Sequence, residues 1–227
     1  MTEVITVDLV DREGGVREAL DEGRGATRAQ LFRRAIIGGG TFLAGGLLIG
    51  GLPKLALGAP SASQDVEILN FALLLEYLES EFYIEAVAKN ALGGETLAFA
   101  KVVRDHENAH VAFLKDALGS RARAKPQFDF MDTTSNPDKF RATSIALEDT
   151  GVAAYNGQGP NLTKPTLAVA GMIVSVEARH AAWIRRITGK PRYGGSAANY
   201  PAPSVLEPSL TRAQVEAAVG KTGFIKG

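Results

Sequence analysis

Two stretches of the chain place a glutamate and a histidine three residues apart, Glu107-x-x-His110 and Glu177-x-x-His180. Each lies in a segment whose apolar residues recur every three to four positions, so each pair falls on one face of a helix, one turn apart. Around the first pair that face also carries Val103, Val111 and Leu114, which turns it toward a core. The second pair sits in the apolar run from Leu167 to Ile187. Carrying a carboxylate and an imidazole into an interior twice over is costly, and it restricts the chain to folds that give those groups something to bind.

The surrounding pattern predicts four long helices. The first spans Gln64 to Asn90, with Ser63 as its cap and Gly93-Gly94 as its stop; Leu69, Leu73, Tyr83 and Val87 form its stripe. Glu76 stands in the middle of that stripe where a leucine is expected. Thr96 to Leu118 is the second helix, ended by Gly119. Residues 119–137 lack a helical period and hold two prolines, which makes them a long crossover. Asn136-Pro137 caps and opens the third helix, which runs to about Tyr155 before the turn cluster Asn156 to Pro160. Pro165 opens the fourth, which ends at Thr188 before Gly189 and Pro191. A tail rich in Pro, Gly, Ser and Asn follows, closing on a short helix capped by Thr211 with Gln214 three residues on.

The two helix pairs repeat one another. Glu76 precedes Tyr83 by seven residues, and Glu148 precedes Tyr155 by seven, so each Glu and Tyr share a helix face. The offset between halves is 72 residues for Glu and Tyr and 70 for both members of Glu-x-x-His. Phe113 and Trp183 each follow their histidine by three. This correspondence reads as internal duplication with two-fold pseudo-symmetry. Packed as a bundle, the four stripes bring Glu76, Glu107, Glu148 and Glu177 inward together with His110 and His180. Removing each carboxylate from water costs on the order of several kcal/mol, against a total stability of roughly 5–15 kcal/mol. Protonation is one compensation. The other is shared cations, and six convergent donors suit two ions about 3.5–4 Å apart. The chain has no cysteine and only three histidines, so a metal here has oxygen and imidazole donors alone.

Glu on one helix, Glu-x-x-His on the next, then Glu, then Glu-x-x-His, with a long crossover between the second and third helices, resembles the ferritin-like di-iron or di-manganese carboxylate proteins. The segments L-N-F-A-L-L-L-E-Y-L-E-S-E-F-Y, H-E-N-A-H-V-A-F-L and V-E-A-R-H-A-A-W are similar to those of exported, desiccation-associated members of that family, over roughly residues 64–190. The resemblance implies an all-α, ferritin-like four-helix bundle with an added short C-terminal helix. It implies two divalent ions, Fe or Mn with Zn as a substitute, held by Glu76, Glu107, His110, Glu148, Glu177 and His180. Glu107 and Glu177 would bridge the ions, and Tyr83 and Tyr155 would hydrogen-bond nearby carboxylates from outside the ligand set. Three neighbours stay open: Glu79, one turn from Glu76, competes with it as a ligand; His106 and Arg104 either serve the site or face solvent.

The N-terminal region is of another character. Residues 1–32 are polar and aperiodic; Arg33-Arg34 then precedes Ala35 to Pro53, nineteen uncharged residues of which seven are glycine. Small residues follow around Gly58 to Ser63. The order resembles a twin-arginine export signal, although Phe32 stands where Ser or Thr is usual and Ile36-Ile37 replaces Phe-Leu. This gives three regions: an arm and signal over 1–61, the bundle over 62–190 and the tail over 191–227. The expected partner is the twin-arginine translocation machinery, and the expected place is the periplasm or cell envelope. Anchoring in a membrane through residues 35–53 is the alternative. With 25 basic and 25 acidic residues, nothing favours nucleic acid. Homo-oligomer formation is left open.

Three functions fit these features. The first is a redox enzyme of peroxidase or catalase type that protects against oxidative stress. The second is iron binding or storage, which the Pro/Gly-rich tail disfavours. The third is a non-enzymatic, stress-related bundle stabilised by metal. Without cysteine there is no thiolate iron site for electron relay, and there is neither a G-x-S-x-G elbow nor a Gly-Lys-Ser/Thr phosphate loop.

Overall fold

The structure is a computed structural model that describes residues 60–189 and 200–226. The twin-arginine and anchor readings of residues 33–53 fall outside the described residues. Four long helices, α1 (Ala62–Ala88), α2 (Gly94–Leu118), α3 (Pro137–Gln158) and α4 (Lys164–Thr188), form a bundle, and a short α5 (Arg212–Thr222) packs against α3.

The helix ends are set by local chemistry. Ser61, not Ser63, caps α1; its hydroxyl accepts from the Gln64 amide at 3.3 Å, and the earlier of the two serines gives a longer helix. Asn90, in the left-handed region at φ 51°, turns the chain out of α1 before the glycine pair is reached. Asn136 accepts from the Asp138 and Lys139 amides at 3.0 and 3.1 Å, with Pro137 at the first helical position of α3. The expected capping box at Thr211 and Gln214 is present on α5.

α3 runs on through the Asn156-Gly157 pair that reads as a turn. Gly157 serves close approach instead: a Cβ there would lie 1.8 Å from the Leu210 carbonyl oxygen, where the tail rests on α3 and the Leu210 amide donates to Ala153 at 3.0 Å. The tail is thus built into the bundle. Val215, Val219 and Phe224 join the main core, and β2 (Ile225–Lys226) pairs antiparallel with β1 (Gln127–Phe128) of the crossover.

Side-chain contacts fix the helix directions. Tyr83 on α1 meets Glu148 on α3 and Tyr155 on α3 meets Glu76 on α1, so α1 and α3 are antiparallel. Ser80 on α1 meets Asn108 on α2, while Asn70 meets Arg121 just beyond α2, so α1 and α2 are antiparallel as well. It follows that α2 and α3 run the same way, and the chain must return along the bundle between them. A 25-residue helix is about 37 Å long, which no tight turn can span. The crossover is pinned on its way, Asn70 donating to the Arg121 carbonyl at 3.0 Å and accepting from the Arg123 amide at 2.8 Å. Asp65 ties the start of α1 to the start of α4 by accepting from the Thr163 amide at 2.9 Å and from the Thr163 and Thr166 hydroxyls.

The core has two apolar parts. One is aromatic: Phe82 stacks on Phe140 at 5.3 Å, with Tyr83 and Phe130 edge-on to Phe82. The other gathers Leu73, Tyr77, Leu114, Leu118 and Ile173. On α2, Phe99 and Val103 belong to the first and Leu114 and Leu118 to the second, which leaves Glu107 and His110 between them.

Candidate metal centre

All six ligands that the sequence nominates meet in that intervening layer, and Tyr83 and Tyr155 reach it from the apolar parts on either side. α1 supplies Glu76, α2 supplies Glu107 and His110, α3 supplies Glu148, and α4 supplies Glu177 and His180. Glu107, Glu148 and Glu177 have no solvent exposure, Glu76 has 1% and His180 3%. Two donor groups form, Glu76–Glu107–His110–Glu177 and Glu107–Glu148–Glu177–His180. Within each, one ligand atom from every residue lies within 4.8 Å of the others, and Glu107 and Glu177 belong to both groups.

His180 Nδ1 lies 3.1 Å from Glu107 Oε1, 3.3 Å from Glu148 Oε2 and 3.5 Å from Glu177 Oε2. Close as they are, these atoms are not aligned for hydrogen bonding: Glu107 Oε1, Glu148 Oε2, both Glu177 oxygens and His180 Nδ1 have no hydrogen-bond partner among the described residues. Native interiors rarely leave buried polar atoms so. Hard carboxylate oxygens with imidazole nitrogens are a donor set suited to Fe, Mn or Zn; the unpartnered atoms gather in the His180 group, while in the other group His110 Nδ1 meets Glu76 Oε2 at 3.2 Å and Glu107 Oε2 at 3.3 Å.

Two tyrosines hold the remaining carboxylate oxygens. Tyr83 Oη donates to Glu148 Oε1 and Tyr155 Oη to Glu76 Oε1, each at 2.5 Å. Both bonds cross between the α1–α2 and α3–α4 hairpins, so the glutamate that each tyrosine serves is not the one on its own helix face.

Without an ion, protons must neutralise the layer. Burial opposes a charged imidazolium, but Glu107, Glu177 and Glu76 around His110 outweigh it and push this histidine up to about 12. His180 is likewise pushed up to about 12, against burial, by Glu107, Glu148 and Glu177. Burial raises Glu177 too, yet the two imidazoles beside it bring it down to about 2. Burial lifts Glu148 to about 7 despite the His180 and Tyr83 contacts. Burial and the neighbouring Glu177 charge hold Glu107 well above the usual carboxylate range.

The open neighbours resolve differently. Glu79 is buried but outside both donor groups. Burial, then the charges of Glu148, Glu177, Glu107 and Glu76, keep it well above the ordinary range. Its carboxylate lies against Gly151, where an added Cβ would come within 3.2 Å of Glu79 Oε1. Arg104 pairs with Asp105 at 2.8 Å on the surface and does not reach the site. His106 is exposed, yet its Nδ1 lies 2.9 Å from His180 Nε2. Periodicity gave no sign of that link, because it joins α2 to α4 across the bundle. The Glu79–Gly151 pairing did leave a trace: the two positions are 72 residues apart, the offset that relates Glu76 to Glu148. Trp183 packs edge-on against Phe99 at 5.3 Å and donates to Glu95 at 3.2 Å.

A family described as ferritin-like domain matches this sequence over residues 64–190, which takes in all but the first two residues of the four long helices and every residue of the centre. No curated protein matches the chain.

Proposed function

The chain belongs to the ferritin-like family, and on that premise we propose that its bundle holds a dinuclear Fe or Mn centre which reacts with peroxide or oxygen and protects the cell envelope. The observation that carries this reading is the pair of overlapping donor groups sharing Glu107 and Glu177. Each ion would have one histidine and one terminal glutamate, His110 with Glu76 and His180 with Glu148, and the two shared carboxylates would bridge. Such a pair of ions supplies reversible one-electron steps to a small oxygen substrate. The protein's own residues keep the reaction site between two apolar core regions and fix one oxygen each of Glu76 and Glu148 through Tyr155 and Tyr83; the other Glu148 oxygen has no hydrogen-bond partner among the described residues, and the other Glu76 oxygen meets His110 Nδ1 at 3.2 Å.

Export rests on the Arg33-Arg34 pair ahead of an uncharged, glycine-rich segment. A twin-arginine route carries folded proteins, which suits a bundle loaded with metal before it leaves the cytosol.

A second reading has its own support. Glu177 lies between both imidazoles, with Oε1 2.9 Å from His110 Nδ1 and Oε2 3.5 Å from His180 Nδ1, so protons alone can balance much of the buried charge. A non-enzymatic, stress-related bundle would use the layer in that way. Elemental analysis of the protein from its native envelope fraction, followed by a peroxide-consumption assay, separates the two. Two equivalents of Fe or Mn and turnover that Glu107→Ala abolishes support the enzyme. Metal-free native protein, or a loaded protein that consumes no peroxide, removes it.

A further inference from the structure

The two halves of the centre are not alike, and the difference lies outside the donor groups. His180 is 3% exposed, whereas the His110 side chain is 13% exposed. All four donors of the His180 half are buried; in the His110 half the histidine is only partly so. The larger asymmetry is on the outer nitrogen of each imidazole. His180 Nδ1 faces the carboxylates while its Nε2 meets His106 Nδ1 at 2.9 Å, the two rings inclined by 23° with centroids 5.1 Å apart. Among the described residues His110 makes its hydrogen bonds through Nδ1 alone, to Glu76 and Glu107. The position that corresponds to His106 by the 70-residue offset is Val176, whose side chain can accept nothing.

An imidazole binds a cation through the nitrogen that carries no proton, and a partner on the other nitrogen decides which one that is. With His106 Nδ1 as acceptor, His180 places its proton on Nε2 and presents the Nδ1 lone pair to the carboxylate layer. The same contact locks the ring plane. His110 has neither constraint from a corresponding neighbour.

We propose that His106 is a positioning residue for His180 and makes the centre load in order, the Glu107–Glu148–Glu177–His180 half taking its divalent cation first and more tightly than the His110 half. The inference rests on the dinuclear reading above, and it adds an inequality between the ions that the ligand set alone does not contain.

The test is a calorimetric titration of the metal-free full chain with Mn²⁺ under a competing chelator. It compares the unaltered protein with His106→Val, which copies the other half, and with His106→Asn, which keeps an acceptor near the Nδ1 position. The unaltered protein is expected to bind two ions in separate steps. His106→Val should weaken the tighter step by about 10–100-fold, the usual effect of losing the partner of a ligating histidine, and His106→Asn should restore most of it. Because His106 is exposed, both variants should keep the fold, which circular dichroism of the metal-free proteins checks. A tight step unchanged in His106→Val, two ions bound in one indistinguishable step, or His106→Asn as weak as His106→Val would each overturn the proposal while leaving a dinuclear centre in place. Uptake of fewer than two ions by the unaltered protein would instead remove the dinuclear reading, and this inference with it.

Discussion

Loading the centre must expel protons, and their number follows from the layer itself. In the metal-free bundle at pH 7, His110 and His180, both pushed up to about 12, each retain a proton. Glu148, near 7, is half protonated and Glu177, near 2, carries none, while burial and the neighbouring Glu177 charge hold Glu107 above the usual carboxylate range. A cation needs every one of these donors bare. Two ions should therefore displace at least two protons, so the overall association constant rises by at least about a hundredfold per pH unit around neutrality, or about 3 kcal/mol. Calorimetry of Mn²⁺ binding at pH 7 in buffers of different ionisation enthalpy measures the release directly. Release of at least two protons per pair of ions is expected, with uptake strengthening as pH rises. Release of fewer than one would refute the reasoning, since it would mean that the imidazoles are already bare in the empty protein.

The same protonation predicts how the metal-free protein responds to pH. His110 and His180 rise from 6.5 when unfolded to about 12 when folded, so their stabilisation is complete below pH 6.5 and is lost as pH climbs toward 12. Glu148, raised from 4.5 to about 7, acts in the same direction, its stabilisation lost between those two values, while Glu177 matters only on the acid side, between 4.5 and about 2. Scanning calorimetry of metal-stripped protein should show Tm falling from pH 5 to pH 9, and metal should reverse that trend. Tyr83→Phe leaves Glu148 Oε1 buried without its donor and should cost about 1–3 kcal/mol in denaturant unfolding of the metal-free protein. Gly157→Ala would put a methyl group 1.8 Å from the Leu210 carbonyl oxygen, so the tail should lift from α3. Hydrogen exchange should then find α5 unprotected while α1 stays closed.

The bundle and its centre were legible because each rests on a repeat that one chain can display. Glu76 interrupts an apolar stripe, the two Glu-x-x-His pairs fix two more helix faces, and Glu148 follows from the duplication. The exchange between hairpins was not legible. Seven-residue spacing puts Tyr83 on the face of Glu76, but only the antiparallel placement of α1 against α3 shows that Tyr83 serves Glu148. For the same reason His106, read from its own helix, could not be assigned to His180. Asn156-Gly157 misled because glycine has two uses, and the one realised depends on Leu210, more than fifty residues away. The tail's composition likewise concealed Val215, Val219 and Phe224, three apolar residues too few to mark a stripe but sufficient to close one side of the core.

Glu79 and Gly151 together say something about how far the duplication can go. Were two identical hairpins to pair about a true axis, the carboxylate at position 79 would meet its own copy where Gly151 now leaves room. Both could not occupy that volume, and both glycine would leave it empty. Joining the halves into one polypeptide removes the obligation of sameness, so that one side can donate an acid and the other the cavity which receives it. The covalent link between hairpins is in this sense a licence for asymmetry, available to a fused chain and denied to a symmetric pair.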